Sequence, residues 1–550
     1  MRSVWLALLL GATAAALAAP PAPPAPPAPP GHAQGSGGAQ GSGAPPAEPA
    51  VIATAVPSTP ALVEAARVDD GAAALALIDR GADVNAAARD GTTALMWAAH
   101  FDDVALIDRL LRAHANARAR NDYGASAMSQ AAEYGDTATI GKLLGAGADA
   151  DSPNGDGETA LMLIARTSNV DAAELLIRHG AQVNARERWR EQTPLLWAVA
   201  TSQPAMVREL LRHHADPNVR SAVNSHLRQV TAEPRVQARP RGGMTALLYA
   251  ARQGCLACAQ ALVDAGADMN LTDPDGVTPL IEATENFHFD LAAWLIRRGA
   301  DVNRWDWWGR TPLYAAVDLN TLPYGGRADH PSLDSTSSLQ LIALLLERGA
   351  NPNSQLKLFP PYRSLGADRG GDSMLTTGTT ALLRAAKAGD AAAIKLLLAH
   401  GALPDLPNRF GMTPLMAAAG IGTSDVDTRG KYKTQAQASE SIDLLAAAGA
   451  DVNAADFRGQ TALHGAAFWG WNDVVKCLAL HHARLDAKDQ KGMMPIDAAL
   501  GRDGGHGRGG QSIEVHEDTA KLLKSLMAAN GLQVPAGPRA NATTTASAGQ

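Results

Sequence analysis

The chain has 550 residues, of which 55 are Asp or Glu and 48 are Lys or Arg, so that its net charge is −7. The length predicts several domains or one long repeat array, and the charge offers no basic surface of the kind that duplex nucleic acid requires. Three cysteines are too few for a disulfide scaffold or for a zinc site with four cysteine ligands.

The first 18 residues are predicted to be a signal peptide. Arg2 precedes an apolar run from Val4 to Leu10, and Ala16-Leu17-Ala18 has the form that a signal peptidase accepts. The run is shorter than the roughly 20 residues of a membrane span. We therefore expect cleavage after Ala18 and export to the periplasm or the cell exterior. The alternative is an uncleaved segment that attaches the protein to a membrane.

Residues 19–57 have the composition of a linker. The stretch PPAPPAPPAPP at residues 20–30 favours a stiff polyproline spacer, and the Gly-, Ser- and Ala-rich part after it favours flexible coil. The last residues, 531–550, are small and polar and are predicted to be a disordered tail.

A triplet of Thr and two apolar residues repeats between these ends, as in Thr93-Ala94-Leu95. Neighbouring triplets are mostly 33 or 34 residues apart, and three larger gaps equal one such period plus an insertion. A fixed period of this length is the signature of a repeat architecture. Counting Ser126, Met494 and a degenerate first unit at Pro60, we predict twelve repeats over residues 58–530. The other triplets begin at Thr159, Thr193, Thr245, Thr278, Thr311, Thr380, Thr413 and Thr461.

Each repeat has the pattern of two helices joined by a turn. Thr is a helix N-cap, and the Pro that often follows it suits the first helical position. The second helix carries Leu pairs such as Leu396-Leu397 and ends at Gly-Ala-Asp-x-Asn, where Gly favours a left-handed C-cap. A turn of the form Asp-x-x-Gly, such as Asp306 to Gly309, leads to the next repeat. One unit cannot bury its apolar face alone, so the units are expected to stack.

These landmarks resemble the ankyrin repeat family, in an exported form of bacterial type. The resemblance implies an all-α solenoid of about twelve helix–turn–helix repeats with protruding turns, which binds other proteins and carries no chemistry of its own. Repeat three departs from the triplet at Ser126, and repeat five has Glu191 in place of the turn glycine. Insertions are predicted in turns near 221–242 and 355–376, and between paired helices near 318–337, 421–437 and 501–512.

Motifs of catalysis or cofactor binding are absent from the sequence. There is no G-x-S-x-G, H-E-x-x-H or phosphate-binding loop and no dinucleotide fingerprint after a predicted strand, and Gly371-Asp372-Ser373 is too short a match to indicate an esterase. The pairs His213-His214 and His481-His482 are interpreted as solvated helix ends rather than metal ligands. His464 is expected to be a hydrogen-bonded structural residue, as the resemblance implies. We therefore expect no cofactor, no metal and no small-molecule substrate.

Cys255 and Cys258 have the C-x-x-C spacing at the start of a predicted helix. A helix N-terminus stabilises a thiolate, as in disulfide oxidoreductases, and one helical turn also brings two cysteines within disulfide reach. Because no thioredoxin-like βαβ context surrounds the pair, a structural thiol or a local disulfide is the favoured interpretation. Repeat alignment places Cys258 and Cys477 on the buried face of second helices.

Two classes of function follow. The favoured one is a non-enzymatic scaffold for protein–protein interaction, exported to the cell envelope. The alternative is an envelope enzyme or a thiol-redox accessory that uses Cys255 and Cys258 or the insertions.

A binding surface is expected around the turn tips and the ends of the first helices, where packing does not dictate the residue type. Aromatic residues at such positions favour contact with a partner, because Trp and Tyr anchor hot spots. The alternative is that the insertion Leu356–Leu365 covers the tryptophans near 305–308. The same outward positions also hold Phe101, Tyr123, Tyr134 and Trp189. The predicted partner-binding residues are Trp305, Trp307, Trp308, Arg310, Phe410, Phe457, Phe468 and Trp469.

Overall fold

The computed structural model describes residues 59–232, 235–321, 332–358, 375–421, 433–502 and 515–533, with the backbone alone for 225–238. The predicted signal peptide, the linker, residues 371–373 and nearly all of the tail lie outside these ranges. Those predictions therefore stay predictions.

In the described ranges the chain forms 24 helices, arranged as twelve consecutive pairs. This architecture confirms the predicted helical solenoid. The first helices of the pairs are α1 (Ala61–Arg67), α3 (Ala94–His100), α5 (Ala127–Tyr134), α7 (Ala160–Ala165), α9 (Pro194–Ala200), α11 (Ala246–Gln253), α13 (Pro279–Glu285), α15 (Pro312–Asn320), α17 (Ala381–Ala388), α19 (Pro414–Ala418), α21 (Ala462–Phe468) and α23 (Pro495–Ala499). The second helices are α2 (Gly71–Asp79), α4 (Val104–Arg112), α6 (Thr137–Gly145), α8 (Val170–Arg178), α10 (Pro204–Arg212), α12 (Leu256–Asp264), α14 (Phe289–Arg297), α16 (Ser338–Glu347), α18 (Ala391–Ala399), α20 (Gln435–Ala447), α22 (Asn472–Leu480) and α24 (Glu517–Ala529).

The first helices have only five to nine residues, so their ends matter for their stability. The Thr of the triplet supplies the N-cap, as where the Thr311 hydroxyl accepts the N–H of Tyr314 at 3.2 Å. Ser126 does the same for the N–H of Ser129 at 3.1 Å, which explains why the departure in repeat three is tolerated. In repeat eleven the N–H of Thr461 donates instead to Nδ1 of the buried His464, whose Nε2 lies 3.1 Å from the carbonyl oxygen of Met493. The prediction of a hydrogen-bonded structural His464 is confirmed.

The core is one continuous row of small and aliphatic side chains from Leu62 to Met527. Each first helix packs on its own second helix and on the first helix of the next repeat. Alanine at the contacts lets the helices approach closely, and each repeat buries its apolar face against its neighbours.

Asparagine side chains join successive repeats along the ends of the second helices. Asn303, the last residue of Gly-Ala-Asp-x-Asn in repeat seven, accepts the N–H of Asn351 at 2.8 Å and donates to the carbonyl of Gly349 at 2.9 Å. Asn85, Asn184, Asn218, Asn353 and Asn453 make the equivalent bonds to the repeat that follows each of them. The repeated Asn therefore fixes the spacing of the repeats.

The insertion near 221–242 contains the one sheet of the described residues. Strand β1 (Val223–Ala232) pairs antiparallel with β2 (Arg235–Gly242), with Val223 opposite Gly242. The sequence predicted an insertion here but no hairpin, because the repeat pattern gives no information about a segment that interrupts it.

The longest helices of the described ranges, α20 and α24, have 13 residues each. None of the described helices combines the length and the apolar character that crossing a membrane requires.

Candidate partner-binding surface

The turns between repeats are held by the side chain of their first residue. Oδ1 of Asp306 accepts the N–H groups of Trp308 at 3.0 Å and of Arg310 at 2.9 Å. Because Asn offers the same carbonyl acceptor, either residue type builds the turn. The same pair of bonds is made by Asn121, Asn154, Asp273, Asn408, Asp456 and Asp489.

Backbone hydrogen bonds then connect one turn to the next. The N–H of Gly155 donates to the carbonyl of Tyr123 at 3.1 Å, and the N–H of Arg188 donates to that of Asp156 at 2.9 Å. In the later repeats the backbone N–H of Trp307 donates to the carbonyl of Asp275 at 2.7 Å, and the backbone N–H of Gln490 donates to the carbonyl of Arg458 at 2.8 Å. Such bonds join the turns in three groups, 121–124 with 154–157 and 187–191, 273–276 with 306–309, and 408–411 with 456–459 and 489–492. We call these pre-organised turns together the turn row.

Several aromatic side chains of the turn row face solvent. Trp189 is 77% exposed, Tyr123 72% and Phe457 67%, while Trp307 is 45% and Phe410 37% exposed. Trp305, just before the turn of repeat eight, is 53% exposed. Single exposed apolar residues are common, but a series of them on one rigid edge is typical of an interaction surface.

Two predicted contact residues are buried, so the expectation that they face outward is wrong. Trp308 is 1% and Arg310 8% exposed. The beginning of the insertion crosses this turn, because the N–H groups of Lys357 and Leu358 both donate to the carbonyl of Trp308, at 2.9 and 3.2 Å. A Cβ atom on Gly309 would lie 2.6 Å from the nitrogen of Lys357, so only glycine fits beneath the crossing segment.

Arg310 is the centre of a buried ion cluster. Its guanidinium pairs with Glu285 and lies 2.6 Å from Oδ2 of Asp306, and it also lies 5.1 Å from the ring centroid of Trp308. Burial alone lowers the pKa of a guanidinium, but the charges of Glu285 and Asp306 outweigh it and raise the pKa of Arg310. Burial raises the pKa of Asp306, and the charge of Arg310 opposes this effect. The cluster holds the turn in place rather than presenting a charge to a partner.

Trp305 and Trp307 each carry a cation on one face of the indole. The guanidinium of Arg239, on β2, lies 3.8 Å from the ring centroid of Trp307 and also pairs with Asp275 at 2.8 Å. Nζ of Lys357 lies 3.8 Å from the ring centroid of Trp305. Such contacts orient the rings. The insertion near 221–242 and the insertion near 355–376 therefore both contribute to this part of the surface.

Phe410 and Phe457 lie on neighbouring turns. The N–H of Phe457 donates to the carbonyl of Phe410 at 2.9 Å, and the guanidinium of Arg409 lies 4.8 Å from the Phe410 ring centroid. The backbone bond fixes the two residues side by side, so they form a second exposed aromatic group.

Phe468 and Trp469 are half-buried at the end of α21. Nε1 of Trp469 donates to the carbonyl of Gly420 at 2.9 Å, and its ring stacks on Trp471 with 6.3 Å between centroids. These contacts tie repeat eleven to repeat ten. A partner-binding role for the two residues stays a prediction, with part of each side chain engaged in packing.

Comparison with known proteins agrees with this geometry. A family model described as "Ankyrin repeats (3 copies)" matches residues 62–152, 128–221, 247–356 and 334–426, which is more than half of the chain, and one described as "Ankyrin repeat" matches 458–490. The chain belongs to the ankyrin repeat family. Ankyrin repeats indicate a scaffold for protein–protein interaction.

Individual relatives are similar over part of the ankyrin array. Ankyrin repeat and SOCS box protein 6 of Homo sapiens is 35% identical over 114 residues, which is 20% of this chain and 23% of the relative. Inversin of Mus musculus is 34% identical over 129 residues, 23% of this chain and 11% of the relative. Cyclin-dependent kinase 4 inhibitor B of Bos taurus is 34% identical over 151 residues, 27% of this chain and 92% of the relative. The chain thus spans less than a quarter of the length of the first two relatives.

The most exposed aromatic residues of the ankyrin turns, Tyr123 and Trp189, are missing from the predicted contact set. The sequence analysis placed both at the same outward repeat positions as Phe410 but did not include them among the predicted contact residues. The feature of the sequence that identifies such residues is their position in the repeat, because Tyr123 is the third residue of its turn, as Phe410 is of its own. The same position does not guarantee exposure, because Trp308 is also the third residue of its turn and is buried.

The cysteines take the structural arrangement that the sequence favoured. Cys255 and Cys258 form a disulfide with 5.2 Å between their Cα atoms, at the start of α12, and Cys258 is fully buried. Cys477 is a buried free thiol, as the repeat alignment predicted. Burial, together with a hydrogen bond to Asp443 and its negative charge, raises the pKa of Cys477 to about 12, so this thiol is protonated at neutral pH.

The two histidine pairs are only partly solvated. Nε2 of His213 lies 3.1 Å from Oε1 of Glu209, and Nε2 of His481 lies 2.7 Å from Oδ1 of Asp443. His214 and His482 have φ of 63° each and occupy the place of the C-cap glycine. The first histidine of each pair therefore has an acidic partner that its sequence position did not predict.

Proposed function

We propose that this ankyrin repeat protein is a non-enzymatic scaffold that binds a protein partner through the turn row after export from the cytoplasm. The observation that carries the proposal is the turn row itself. It presents exposed aromatic side chains on a backbone that hydrogen bonds hold from one repeat to the next.

The energetics of binding favour such an edge. Aromatic side chains dominate interface hot spots, and a surface that is already ordered loses little conformational entropy on binding. The cations Lys357 and Arg409 lie beside Trp305 and Phe410, so the surface combines apolar anchors with positive charge. A partner segment with an apolar side chain flanked by carboxylates fits this combination.

Export is supported by the sequence of residues 1–18 and by the disulfide between Cys255 and Cys258, because disulfides persist in oxidising compartments. N-terminal sequencing of the protein from its natural host tests this part. A mature chain that begins at Ala19 is expected, and a chain that begins at Met1 would contradict cleavage.

The second candidate function is a thiol-redox accessory, and the disulfide at the start of α12 is the observation that favours it. Its Cys255 is the N-cap residue of the helix, a position that stabilises a thiolate. Thiol–disulfide exchange assays on the purified chain and on Cys258→Ser separate the two functions. A scaffold shows no turnover in either protein, whereas an accessory shows turnover that the substitution abolishes.

Site-specific photo-cross-linking tests the location of the surface. A photoreactive amino acid is placed at Trp189 or Phe457 on the turn row, and at Lys395 or Lys476 on second helices as the matched control. We expect the same protein to be captured from both turn positions and from neither lysine position. Capture from the helix positions alone would contradict the proposed surface.

A further inference from the structure

One cluster outside the turn row combines three different metal-binding side chains. Asp443 lies on α20, Cys477 lies on α22, and His481 is the residue at which α22 ends. Sγ of Cys477 lies 3.3 Å and Nε2 of His481 lies 2.7 Å from Oδ1 of Asp443. The three ligand atoms all lie within 4.8 Å of one another.

Equivalent histidines in other repeats make different contacts. His179 and His400 each precede the C-cap glycine, and their Nδ1 atoms lie 2.9 Å from the carbonyl of the residue four positions earlier in their own helix. His213 contacts Glu209 of its own helix at 3.1 Å. Of these four histidines, only His481 contacts a carboxylate on a neighbouring helix, that of Asp443, and also lies close to a thiol, that of Cys477. The repeat fold does not require this arrangement.

The donor set suits one class of metal ion. Thiolate sulfur, imidazole nitrogen and carboxylate oxygen bind Zn²⁺ at about 2.0 to 2.3 Å, which places ligand atoms roughly 3.3 to 3.8 Å apart in a tetrahedral site. The distance between Cys477 and Asp443 already lies in this range. The contact between His481 and Asp443 must lengthen by about 1 Å, which is feasible because 61% of the Asp443 side chain and 33% of the His481 side chain are exposed.

We propose that Asp443, Cys477 and His481 form a binding site for Zn²⁺ or a similar divalent ion, with solvent as the fourth ligand. On binding, Sγ of Cys477 releases its proton and coordinates as a thiolate, beside the carboxylate of Asp443 and the neutral imidazole of His481. One proton leaves, and the two negative ligands balance the charge of the ion. The site connects α20 of repeat ten to α22 of repeat eleven, so the ion acts as a cross-link between adjacent repeats.

Cobalt titration of the full chain tests the proposal. Co²⁺ reports thiolate ligation through a sulfur-to-metal charge-transfer absorption, and the absence of reductant keeps Cys255 and Cys258 in their disulfide. We expect the absorption to saturate at one equivalent of Co²⁺ and to be displaced by Zn²⁺. Cys477→Ser should abolish it, while Asp443→Asn and His481→Ala should each weaken cobalt affinity at least about tenfold.

His400→Ala is the matched control, because His400 holds the same place in repeat nine. It should leave cobalt affinity unchanged. Asp443→Asn alters an exposed side chain, and its thermal unfolding without metal should match that of the unaltered chain, so a weaker affinity there is not a folding defect. Three results would each overturn the proposal: no saturable absorption, an absorption that survives Cys477→Ser, or an equal loss in His400→Ala and His481→Ala.

Discussion

The first five repeats, Ala61–Arg212, and the later repeats, Ala246–Ala529, show how insertions change a regular surface. Tyr123 and Trp308 are both the third residue of their turns, yet Tyr123 is 72% exposed and Trp308 is 1% exposed. The first region follows an unbroken period, whereas Lys357 and Leu358 of an insertion cross the Trp308 turn. Identical repeat positions therefore belong to the surface or to the core according to what the insertions cover.

The two regions also differ in how deeply their ion pairs are buried. Arg120, in the first region, makes an exposed ion pair with Asp149 at 2.9 Å. Arg310, in the second region, has a side chain 9% exposed and pairs with both Asp306 and Glu285. The later region therefore buries a group of charged side chains, whereas this ion pair of the first region stays at the surface.

The largest expected effect on stability distinguishes the buried Trp308 from the exposed Tyr123. Trp308→Ala should lower the free energy of unfolding by about 3 to 5 kcal/mol, because it removes a fully buried side chain. Tyr123→Ala should lower it by less than about 1 kcal/mol. Urea unfolding followed by circular dichroism measures both. Similar losses of unfolding free energy in the two variants would contradict the difference between a buried and an exposed turn residue.

The buried ion cluster gives the next effect. Arg310→Met leaves Asp306 and Glu285 without their shared cation, and it should lower the free energy of unfolding by about 3 kcal/mol. Arg120→Met, which removes an exposed pair, should change it by at most about 1 kcal/mol. Chemical denaturation of both variants at one ionic strength makes the test. A small effect at Arg310 would mean that the cluster does not stabilise the turn.

A smaller effect concerns pH. Burial, and then the charge of Asp275, raises the pKa of Asp273 to about 6. The stability that its protonated form contributes is complete below the unfolded-state pKa of about 3.9 and is lost as the pH rises through about 6. Asn121 and Asn154 of the first region build the same turn without a titrating group.

Asp273→Asn should therefore raise stability at pH 7 by on the order of 1 kcal/mol, and the difference from the unaltered chain should disappear at pH 4. Thermal unfolding of both proteins between these pH values provides the measurement. A difference that stays constant over the range would contradict the shifted pKa.

Local and repeated features of the fold were predictable from the sequence. Thr and Ser N-caps, Leu pairs and glycine C-caps recur at one period, and they predicted the twelve helix pairs and the buried faces of Cys258 and Cys477. The candidate surface was predictable only in part. The burial of Trp308 beneath Lys357 agrees with the alternative that the insertion covers the tryptophans, whereas Trp305 and Trp307 stay exposed. No local pattern in the sequence distinguishes the covered tryptophan from the exposed ones. Nor does a local pattern predict the contact between Asp443 and His481, which meet across two repeats.

The affinity of the isolated partner for a chain that carries Trp305→Ala and Trp307→Ala tests the binding surface most directly. Both side chains are exposed, so folding should be preserved, and Leu480→Ala, an exposed apolar side chain on α22, is the control. Binding should weaken by at least about 2 kcal/mol, or about thirtyfold in Kd, with unchanged urea unfolding, while the control binds normally. An unchanged Kd in the folded double variant would contradict a partner surface at these turns.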